Sequence, residues 1–575
     1  MNTVILQNPA GGWLVGAQPV GVIEARTHWQ VLPALAAVDA ACRGGRWAVG
    51  FVCYEAAAGL DEHLCVHDFS HLPLAWFALF DRLDAIDALP AADAPFEVGP
   101  WQPHISSRQF QRDIAAIKEL IASGDTYQVN YTLRLRAGFR GSSESFFARL
   151  AAAQRASCAA FIDCGQHTIC SASPELFFDL QDGTLSARPM KGTARRGLWT
   201  AQDDDQARRL NRCPKNRAEN AMIVDMIRND LGRVAQRGSV RVDEAFAIER
   251  YPTVLQMTST VRCRTKAALA EIFAAMFPCA SITGAPKVRT MQIIRQLESQ
   301  PRGLYTGSIG LVYPGGDARF SVAIRTVVVD KHAQSAEYGV GGGIVWDSTA
   351  ADEYAECRDK AAVLTATVPR FDLLETLRFE PAQGYALLDE HLARLADSAR
   401  YFGYPVDLAA VRAELERLAG TLLAPTRVRL CVDPAGLVRT ETAPAPPARP
   451  DVPWRLRLAR APIDCSDVFL YHKTTHRRVY EEAMRGRGDC DDVLLHNHRG
   501  EITETTIANI VCDFDGRRLT PPRESGLLGG TLRSRLIERG EIVEGVIRVE
   551  DLPRCREMFA INSVRGWMKA TLVDN

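Results

Sequence analysis

Residues 303–346 read GLYTGSIGLVYPGGDARFSVAIRTVVVDKHAQSAEYGVGGGIVW, and their pattern is the clearest indication of fold in the chain. Strand-like runs at 303–313, 319–329 and 336–346 are separated by clusters of turn-forming residues. Helical patterns lie on either side, at 106–125, 215–234 and 351–367. Strand runs mixed with helices predict an α+β fold with largely antiparallel sheets.

The chain has 575 residues, which is more than one typical domain. The sequence pattern changes after Thr367. A hairpin that leads into an amphipathic helix is predicted by the stretch FDLLETLRFEPAQGYALLDEHLARLADSARYFGYP. We therefore expect one domain over 1–367 and a second over 368–575. Two proline-rich passages, 81–104 and 441–453, predict a loop and an extended connector.

Composition narrows the class of protein. Hydrophobic residues make up 47% of the chain, charged residues 24%, and the net charge is −1, as in an ordinary soluble globular protein. No basic cluster supports a nucleic-acid partner. No signal peptide and no apolar run of ~18 residues is present, so no membrane association is expected. The 15 cysteines are scattered singly and predict reduced thiols in a cytoplasmic protein.

A lysine in RPMKGTARRG, residues 188–197, has a basic neighbourhood. Arg188, Arg195 and Arg196 lie close to Lys191 along the chain. Nearby positive charge favours the neutral amine, and only a neutral amine is a nucleophile. Lys191 is therefore either a nucleophile or part of a basic surface turn.

Carboxylates recur in polar or glycine-rich settings of the first half: Glu175 in SASPELFF, Glu219 in KNRAENAMIVDMIRNDLG, and Glu356 in DEYAECRDK, where it shares a helix face with Glu353 and Lys360. Two glutamates from different helices can supply the oxygen ligands that Mg²⁺ prefers. Taken singly, each is more often a solvated helix charge. The run GVGGGI, residues 339–344, is either a strand irregularity or a place where backbone N–H groups approach an anion.

Eight motifs in order resemble one family. SPELF, RPMKGT, NRAENAMIVDMIRNDLGR, SITGAPKVRTMQII, YTGSIG, IRT, GGGIV and EYAECRDK resemble the chorismate-utilising enzymes over residues 105–366. These include anthranilate, isochorismate and salicylate synthases and aminodeoxychorismate synthase component I. The resemblance implies a fold of two packed, largely antiparallel sheets flanked by helices.

Two positions separate the chemistries of that family. Isochorismate-type members carry a lysine, which activates water, where this chain has Gln128 in GDTYQVNYT. Anthranilate synthases carry a small residue where Lys191 stands, whereas aminodeoxychorismate synthases carry lysine in a PIKGT motif. The resemblance therefore favours a nucleophilic Lys191 and an amination at the ring carbon that bears the hydroxyl.

The resemblance also implies roles for further residues. Lys191 would add to the ring of chorismate, Glu175 would protonate the leaving hydroxyl, and Mg²⁺ would be held by Glu219 and Glu356. The implied substrate-binding residues are Gln128, Thr283, Gly284, Thr306, Gly307, Arg325, Gly341, Gly342, Gly343 and Lys360.

Two features of the first half concern acid–base chemistry and the source of ammonia. The family often has a histidine where VLQMTST places Gln256, and glutamine cannot accept a proton charge. A glutaminase needs a nucleophile elbow with cysteine, and no GxCxG stretch is present. We therefore expect a separate glutamine amidotransferase subunit, with free ammonia as a poorer substitute.

The second half resembles another family. HLARLADSARYFGY, YHKTTHRRVYEEA, EITETTIANIV, GLLGGTLR and INSVRG resemble the fold type IV pyridoxal phosphate enzymes, an α/β fold shared by branched-chain aminotransferases and aminodeoxychorismate lyases. The resemblance implies that Lys473 binds the cofactor covalently, Glu504 faces its pyridine nitrogen and Arg394 binds its phosphate. Further implied cofactor contacts are Asn509, Gly530, Thr531 and Ser563.

The second half departs from the usual pattern at its start. Family members begin with an extra strand before a GDGxFET-like motif, whereas this segment begins almost at FDLLETLR. The departure concerns assembly more than chemistry. Sites of this class usually lie near a dimer interface, so a homodimer through the second domain is expected.

The fusion suggests a joint function. The amine of 4-amino-4-deoxychorismate is a suitable substrate for a pyridoxal phosphate lyase, which would release pyruvate and 4-aminobenzoate, a folate precursor. The motifs of the second half alone do not separate lyase from transaminase. Two alternatives stay open: an anthranilate-type synthase fused to a transaminase, and a synthase fused to a non-catalytic module.

Overall fold

The computed structural model describes residues 3–89, 94–366, 369–447 and 452–573. The chain folds into two compact units, one of residues 1–196 with 207–368 and one of residues 197–206 with 369–575. The predicted boundary at 367/368 lies outside the described residues. Residues 197–206 belong to the second unit although they lie within the first half of the sequence, a feature that no pattern in the sequence indicated.

The first unit is rich in strands. They are β1 Val4–Gln7, β2 Trp13–Gly16, β3 Gly21–Ala25, β4 Trp47–Val52, β5 Ala75–Phe80, β6 Asp84–Ile86, β7 Phe96–Val98, β8 Gln102–Pro103, β9 Gln128–Gly141, β10 Cys158–Asp163, β11 His167–Ser173, β12 Leu176–Gln181, β13 Thr184–Arg188, β14 Met190–Arg195, β15 Arg241–Arg250, β16 Val254–Arg264, β17 Gly284–Ala285, β18 Ser308–Val312, β19 Ala318–Val322, β20 Thr326–Asp330 and β21 Ser335–Ile344.

These strands form two large sheets. One has the order β17-β9-β21-β20-β11-β10-β1-β2-β6, with β7 and β8 paired to β9. The other has the order β14-β16-β13-β12-β19-β18-β4-β5-β3, with β15 paired to β16. The pairings that build both sheets are antiparallel, for example β21 with β9 and β18 with β19. The predicted α+β fold with largely antiparallel sheets is confirmed.

Helices flank the sheets and begin and end on local signals. They are α1 His28–Arg43, α2 Ser107–Ala122, α3 Ser143–Gln154, α4 Thr200–Arg212, α5 Pro214–Gly232, α6 Leu269–Met276, α7 Lys287–Leu297 and α8 Ala350–Ala361. Helix α2 starts where the Ser106 side chain accepts the backbone N–H of Gln109. Its Phe110, Ile114 and Ile117 recur at helical spacing and are buried.

Aromatic packing holds part of the first core together. Phe177 and Phe178 of β12 contact Phe273 of α6, and Phe178 also packs on Phe320 of β19. Truncating one such buried ring to alanine costs about 3–5 kcal/mol of stability. Because Glu175 directly precedes β12, this core also positions a predicted site residue.

The prediction of a loop at 81–104 is wrong at three short segments. Three short strands, β6, β7 and β8, form within it, and residues 90–93 lie outside the described residues. β7 and β8 add to the long strand β9 and β6 adds to β2. Exposed backbone at a sheet edge offers hydrogen bonds even to a segment of poor strand propensity.

The second unit contains two further sheets. Its strands are β22 Leu373–Glu380, β23 Gly384–Tyr385, β24 Thr426–Val432, β25 Val438–Pro444, β26 Trp454–Leu458, β27 Asp492–His496, β28 Ile502–Thr505, β29 Asn509–Phe514, β30 Arg517–Thr520, β31 Val543–Glu544, β32 Glu557–Asn562 and β33 Gly566–Val573. Its helices are α9 Leu388–Phe402, α10 Leu408–Ala419, α11 Arg478–Met484 and α12 Thr531–Glu538.

The smaller sheet has the order β23-β22-β24-β25, and the larger has β28-β27-β26-β33-β32-β29-β30-β31 with parallel as well as antiparallel pairs. The predicted hairpin and amphipathic helix are confirmed as β22–β23 and α9. Helix α9 buries Leu392, Leu395 and Ala399 and ends at Gly403, whose φ of +72° suits glycine. The proline-rich passage 441–453 begins inside β25, so the predicted connector is shorter than expected.

Residues 197–206 are tied into the second unit by several contacts. The Trp199 ring lies 5.2 Å from the Tyr471 ring and 5.1 Å from the Arg523 guanidinium. The Tyr401 hydroxyl donates to the Gly197 carbonyl at 2.7 Å. The second unit is therefore completed by a piece of chain that precedes it by more than 160 residues.

No helix in the described part of the chain is long and apolar enough to span a membrane.

Candidate active sites

Lys191 extends from β14 into a polar part of the first unit. Its Nζ lies 3.7 Å from Glu219 Oε2 on α5, and the lysine side chain is only 17% exposed. A Cβ added at Gly343 of β21 would lie 2.7 Å from this Nζ, so a side chain there would displace the amine. Strand β14, helix α5 and strand β21 thus bring three predicted site residues together.

Gln128 begins β9 and reaches the same place. Its Nε2 would lie 2.9 Å from a Cβ at Gly343. The side chain is fully buried, and among the described residues neither amide atom has a hydrogen-bond partner. Leaving a buried amide unpaired costs about 1–3 kcal/mol. Such a group beside the lysine is suited to hydrogen-bonding a polar ligand.

The three arginines near Lys191 in sequence have other partners. Arg188 lies 3.3 Å from Glu249, and Arg195 lies 3.7 Å from Asp359. Arg196 donates to the Tyr251 carbonyl at 2.7 Å. Pairing of these cations was not visible in the sequence, because their partners are brought in by β15 and α8. The groups that immediately surround the Lys191 amine are those at Glu219, Gly343 and Gln128.

Glu175 is a buried carboxyl whose pKa lies near neutral pH. It is 4% exposed between β11 and β12, and Ser281 Oγ donates to its Oε1 at 2.6 Å. Burial raises the pKa of Glu175 to about 7, against the opposing effects of Ser281, the Met190 backbone, Lys191 and Lys360. An acid with this pKa can donate a proton at neutral pH, as a general acid requires.

Lys360 on α8 connects the helix to the glycine run of β21. Its Nζ donates to the Gly341 carbonyl at 2.7 Å and lies 2.7 Å from Glu356 Oε1. The next glycine, Gly342, faces the same helix, since a Cβ there would lie 3.0 Å from Glu353 Oε2. The predicted shared face of Glu353, Glu356 and Lys360 is therefore turned towards the glycines.

Arg325 contacts α8, and the Thr306 N–H donates to the carbonyl of Ala323, two residues before Arg325. Arg325 has a positive φ of +51° and donates to the Lys360 carbonyl. Thr306, also at positive φ, donates from Oγ1 to the Tyr305 carbonyl at 2.5 Å. Gly307 follows it, where an added Cβ would lie 2.2 Å from the Val52 carbonyl. Gly307 is thus a close-packing position.

Thr283 and Gly284 lie beside Gln128. Gly284 pairs with Val129 in the sheet at φ +147°, and a Cβ there would lie 2.0 Å from the Gln128 carbonyl. Thr283 is fully buried, and its carbonyl accepts the Asn130 N–H at 2.8 Å. Gln256 accepts a hydrogen bond from Thr193 at 2.9 Å on the strand next to β14.

The carboxylates predicted to hold Mg²⁺ lie on two helices, α5 and α8. Glu353 Oε2 and Glu356 Oε1 both approach Gly342, at 3.0 and 4.0 Å from its added Cβ. Glu219 faces Lys191 instead. In the described part of the chain no group of three or more His, Cys, Asp or Glu side chains is assembled for a metal. Mg²⁺ commonly takes only one or two protein carboxylates and completes its shell with water and substrate, so this donor set is compatible with it.

The second unit encloses a cavity of about 330 Å³. All the residues predicted to contact the cofactor line it: Arg394, Lys473, Glu504, Asn509, Gly530, Thr531 and Ser563. The volume falls at the lower end of cofactor and small-ligand sites. Residues from β22, α9, α12 and several loops therefore converge as the sequence indicated.

The amine of Lys473 has a lowered pKa. Its side chain lines the cavity and is partly buried, and this burial, with a contribution from Arg394, lowers the pKa of its amine to about 8. Its backbone carbonyl accepts the Leu374 N–H at 3.0 Å, which ties the Lys473 segment to β22. A lysine with this pKa has an accessible neutral form at physiological pH, as covalent attachment to an aldehyde requires.

Glu504 of β28 is held by three donors. Tyr480 Oη donates to it at 2.8 Å, Asn509 Nδ2 at 3.1 Å and the Leu528 N–H at 3.1 Å. Burial raises the pKa of Glu504 to about 7 in spite of these donors. Such a fixed, buried carboxyl is suited to share a proton with a pyridine nitrogen.

Arg394 forms a buried ion pair that the sequence did not reveal. Its Nε and Nη2 donate to Glu375 at 2.9 and 2.6 Å, and Nη1 donates to the Gly529 carbonyl at 3.2 Å. His391 Nδ1 also lies 2.6 Å from Glu375. Burial opposes charge on Glu375, but Arg394 and His391 outweigh it and lower its pKa to about 2. Arg394 is thus held rigidly at the cavity wall.

The end of the cavity near Arg394 is suited to an anion. Helix α12 begins at Thr531 after Gly530, and helix N-termini present unpaired N–H groups. His391 Nε2 lies 3.0 Å from Ser563 Oγ and 3.4 Å from Thr531 Oγ1. Lysine, acid, arginine and hydroxyls together fit pyridoxal phosphate, and Arg394, Thr531 and Ser563, which were predicted to contact it, line the cavity.

The sequence analysis missed four residues that complete the two sites: Ser281, Glu375, His391 and Tyr480. His391 could have been found, because it lies three residues before Arg394 on the same helix face. Ser281 lies in the quoted motif SITGAPK and could have been noted for the same reason. Glu375 and Tyr480 carry no local signal, since their partners are distant in sequence.

Both sequence resemblances are confirmed by family models. Residues 2–366 match the model of chorismate binding enzyme, and residues 372–573 match the model of amino-transferase class IV. The first match covers more than half of the chain, so the chain belongs to the chorismate binding enzyme family. Its second half is a class IV aminotransferase domain, which implies pyridoxal phosphate as cofactor.

Individual relatives agree with the first match. Aminodeoxychorismate synthase component 1 from Klebsiella aerogenes is 40% identical over 312 residues, 53% of this chain and 68% of that protein. Anthranilate synthase component 1 from Aquifex aeolicus is 35% identical over 47% of this chain and 54% of that protein. The crystal structure of anthranilate synthase component I from Streptococcus pneumoniae superposes with a TM-score of 0.55 at 25% identity, over 63% of this chain and 93% of that one.

Proposed function

We propose that the chain makes 4-aminobenzoate from chorismate in two steps. The first unit would replace the ring hydroxyl of chorismate by ammonia to give 4-amino-4-deoxychorismate. The second unit would eliminate pyruvate from that product. The relatives named aminodeoxychorismate synthase and the class IV aminotransferase match support the two halves of this proposal.

In the first step Lys191 acts as the nucleophile. Its neutral amine adds to the chorismate ring, the ring double bond shifts, and the bond from carbon to the hydroxyl breaks. Ammonia then attacks the carbon that lost the hydroxyl, and the bond to Lys191 breaks in turn. The amine is free to approach a ligand because Gly343 has no side chain at that point.

Glu175 acts as the general acid. With a pKa of about 7 it can give its proton to the departing hydroxyl, which leaves as water, and can recover a proton from the attacking ammonia. Ser281 fixes the carboxyl orientation through its 2.6 Å hydrogen bond. A general acid of matched pKa contributes about 10²–10⁴-fold to such a step.

Glu219 and Glu356 are the proposed ligands of Mg²⁺. The ion would neutralise a carboxylate of chorismate and fix the ring relative to Lys191. Lys360 and the backbone of the glycine run lie beside Glu356 and would hold the same carboxylate. The buried amide of Gln128 would donate to a substrate oxygen.

In the second step Lys473 acts as the base. Its amine removes the proton from the ring carbon that carries the amine, and bound pyridoxal phosphate supplies an electron sink for that carbanion. The electron pair forms a ring double bond while the bond to the enolpyruvyl oxygen breaks. The departing enolpyruvate gains a proton at its methylene carbon to become pyruvate, and the ring becomes aromatic. Glu504 keeps a proton available at the pyridine side of the site.

Ammonia would come from a partner. Component 1 in the name of the relatives implies a second component, and we propose a separate glutamine amidotransferase for this role. Free ammonia should replace it at high concentration. We also propose a cytoplasmic location and a homodimer formed through the second unit.

The enclosure of Lys191 between Glu219, Gly343 and Gln128 carries the proposal, because this lysine separates aminodeoxychorismate from anthranilate chemistry within the family. The test is to incubate purified chain with chorismate, ammonia, Mg²⁺ and pyridoxal phosphate and to identify every product. We expect 4-aminobenzoate and pyruvate in equal amounts. Formation of 2-aminobenzoate contradicts the proposal.

A second candidate is an anthranilate-type synthase fused to a transaminase. The relative named anthranilate synthase and the class IV aminotransferase match favour it. Accumulation of 2-aminobenzoate together with amino-group transfer to a keto acid would support this candidate. A protein that binds no pyridoxal phosphate, shown by the absence of a borohydride-reducible adduct at Lys473, would instead indicate a non-catalytic second half.

A further inference from the structure

One wall of the cavity in the second unit is a sheet face that carries arginines. Arg427 and Arg429 are two residues apart on β24, and both line the cavity with Lys473. Val428 and Leu430 alternate with them and are buried in the apolar core on the opposite face. The alternation of β24 thus turns both guanidinium groups away from the core and towards the cavity.

The pairing of β24 with β22 places further polar residues on this face. Thr376 lies opposite Arg429, and Arg378 lies opposite Arg427. Like charges directly opposite each other destabilise a sheet. Arg378 is neutralised by Glu380 at 2.6 Å, whereas the Arg427 side chain forms no ion pair or hydrogen bond within the described ranges of the chain. Holding Arg427 opposite Arg378 without an acidic partner of its own destabilises the sheet. This cost suggests that Arg427 binds an anionic ligand.

The charge around the cavity is strongly unbalanced. Among the described residues seven cationic side chains line it against one carboxylate, that of Glu504. Some are already neutralised by the protein, as Arg394 is by Glu375. Arg429 is paired only loosely, since its nearest acid, Glu441, is 3.7 Å away and 71% exposed. Surface pairs of this kind contribute little, so a ligand carboxylate can displace Glu441.

A guanidinium binds a carboxylate through two parallel hydrogen bonds. Residues i and i+2 on a strand lie about 7 Å apart, so the two arginines present two separate binding points. A simple α-amino acid has one carboxylate beside its amine. The product of the proposed first step has two, one on the ring opposite the amine and one on the enolpyruvyl ether next to it.

We infer that Arg427 and Arg429 bind the two carboxylates of the substrate and make the second unit selective for an amine-bearing cyclic dicarboxylate over ordinary amino acids. The inference rests on the proposed function for the identity of that dicarboxylate. The phosphate of the cofactor has its own partners at Arg394 and the start of α12, so these two arginines are left for substrate.

The first test separates binding from chemistry. Full-length protein loaded with pyridoxal phosphate is assayed for 4-aminobenzoate formation from 4-amino-4-deoxychorismate, as wild type and as R427Q, R429Q and the double variant. Loss of one charged hydrogen-bonding partner corresponds to a roughly 10- to 100-fold higher KM. We expect this rise in KM with kcat within about threefold of wild type. The rise in KM should be smaller in R429K, which keeps the positive charge but loses the two parallel hydrogen bonds of the guanidinium.

Arg439 supplies the matched control. It lies on the same small sheet, pairs with Asp372 at 2.7 Å and does not line the cavity, so R439Q should keep the wild-type KM. A double variant R427Q/R429Q with unchanged KM overturns the inference while the proposed lyase step stands. The arginines are exposed, and retention of the visible cofactor band shows that the variants are folded.

The second test needs no turnover. The unreactive diacid 3-[(1-carboxyvinyl)oxy]benzoate and the monoacid benzoate are each titrated while the visible band of the cofactor is followed, which reports on the second unit alone. We expect wild type to prefer the diacid by about tenfold or more, and the double variant to lose that preference. Equal affinities in wild type overturn the inference. A diacid preference that depends on the arginines in a protein that forms no 4-aminobenzoate supports the inference and rejects the lyase step.

Discussion

Ser281 donates a hydrogen bond of 2.6 Å to the buried carboxyl of Glu175. The bond stabilises the charged form of that carboxyl and so opposes the burial that raises its pKa to about 7. The acid strength of Glu175 therefore depends on burial first and, in the opposite direction, on a residue more than 100 positions away in sequence. This relationship gives the first of five predictions.

Ser281→Ala should move the pH dependence of the amination step. Glu175 works as an acid only while protonated, so activity falls as the pH rises through its pKa. Removal of the donor raises that pKa further, and the alkaline limb should shift upward by about one pH unit or more. The measurement is kcat against pH with chorismate and ammonia. Exposed Ser123 offers the control variant S123A, and a limb that does not move in S281A contradicts the role of Glu175.

Lys191→Ala should lower the amination rate by at least about 100-fold, because the variant has no amine to add to the ring. Pyruvate elimination by the second unit, assayed with 4-amino-4-deoxychorismate, should be unchanged. Arg195→Ala is the matched control, since Arg195 lies on the same strand and its side chain is 90% exposed. Wild-type amination in the lysine variant would make Lys191 a bystander.

Glu219→Ala and Glu356→Ala should each weaken the dependence of amination on Mg²⁺. Loss of one carboxylate ligand removes a charged oxygen from the ion, and we expect the Mg²⁺ concentration at half-maximal rate to rise about tenfold or more. Asp359→Ala serves as the control, because Asp359 lies on the same helix and is 71% exposed. Identical Mg²⁺ titrations of all four proteins would remove these glutamates from the metal site.

Glu375→Gln should destabilise the second unit in a pH-dependent way. The folded pKa of Glu375 is about 2, below its ordinary value of 4.5, so its ion pairs stabilise the fold above pH 4.5 and are lost as pH falls towards 2. We expect about 3 kcal/mol less stability at pH 7, since the variant leaves Arg394 buried without its carboxylate. Urea unfolding at pH 7 and pH 3 checks this, and a difference that does not shrink at pH 3 would contradict it.

Trp199→Ala should destabilise the second unit although the residue belongs to the first half of the sequence. The variant loses a ring contact with Tyr471 and a cation–π contact with Arg523, together worth about 1–3 kcal/mol. Trp29→Ala provides the comparison, because that ring is 75% exposed in the first unit. A fragment of residues 369–575 alone should show a similar loss, whereas equal stability of fragment and full chain would contradict the assignment.

Local pattern was enough to predict much of the fold. The strand runs predicted at 303–313 and 336–346 correspond to β18 and β21, whereas the run at 319–329 divides into β19 and β20, which belong to different sheets. The prediction of a loop at 81–104 missed β7 and β8, because these strands form by pairing with the open edge of β9 rather than from their own propensity. Short strands of this kind depend on a partner that is distant in the chain.

The site residues also fall into those that the sequence predicted and those that only the structure revealed. Lys473, Glu504 and Arg394 were predicted from the resemblance to a known family, and they line one cavity. The neighbours that tune them were not found, because hydrogen bonds such as that from Tyr480 to Glu504 join residues with no fixed separation in sequence. The arginines around Lys191 show the converse, since residues adjacent in sequence have separate partners in space.

The order of residues by itself determined the two families and the α+β class, since these depend on side-chain type and on motifs that are local in sequence. Only the tertiary structure decided which charges meet, that residues 197–206 complete the second unit, and that Arg427 and Arg429 face the cavity with Lys473. The physical reason is that burial, ion pairing and pKa depend on distances in space, and those distances exist only once the strands have paired.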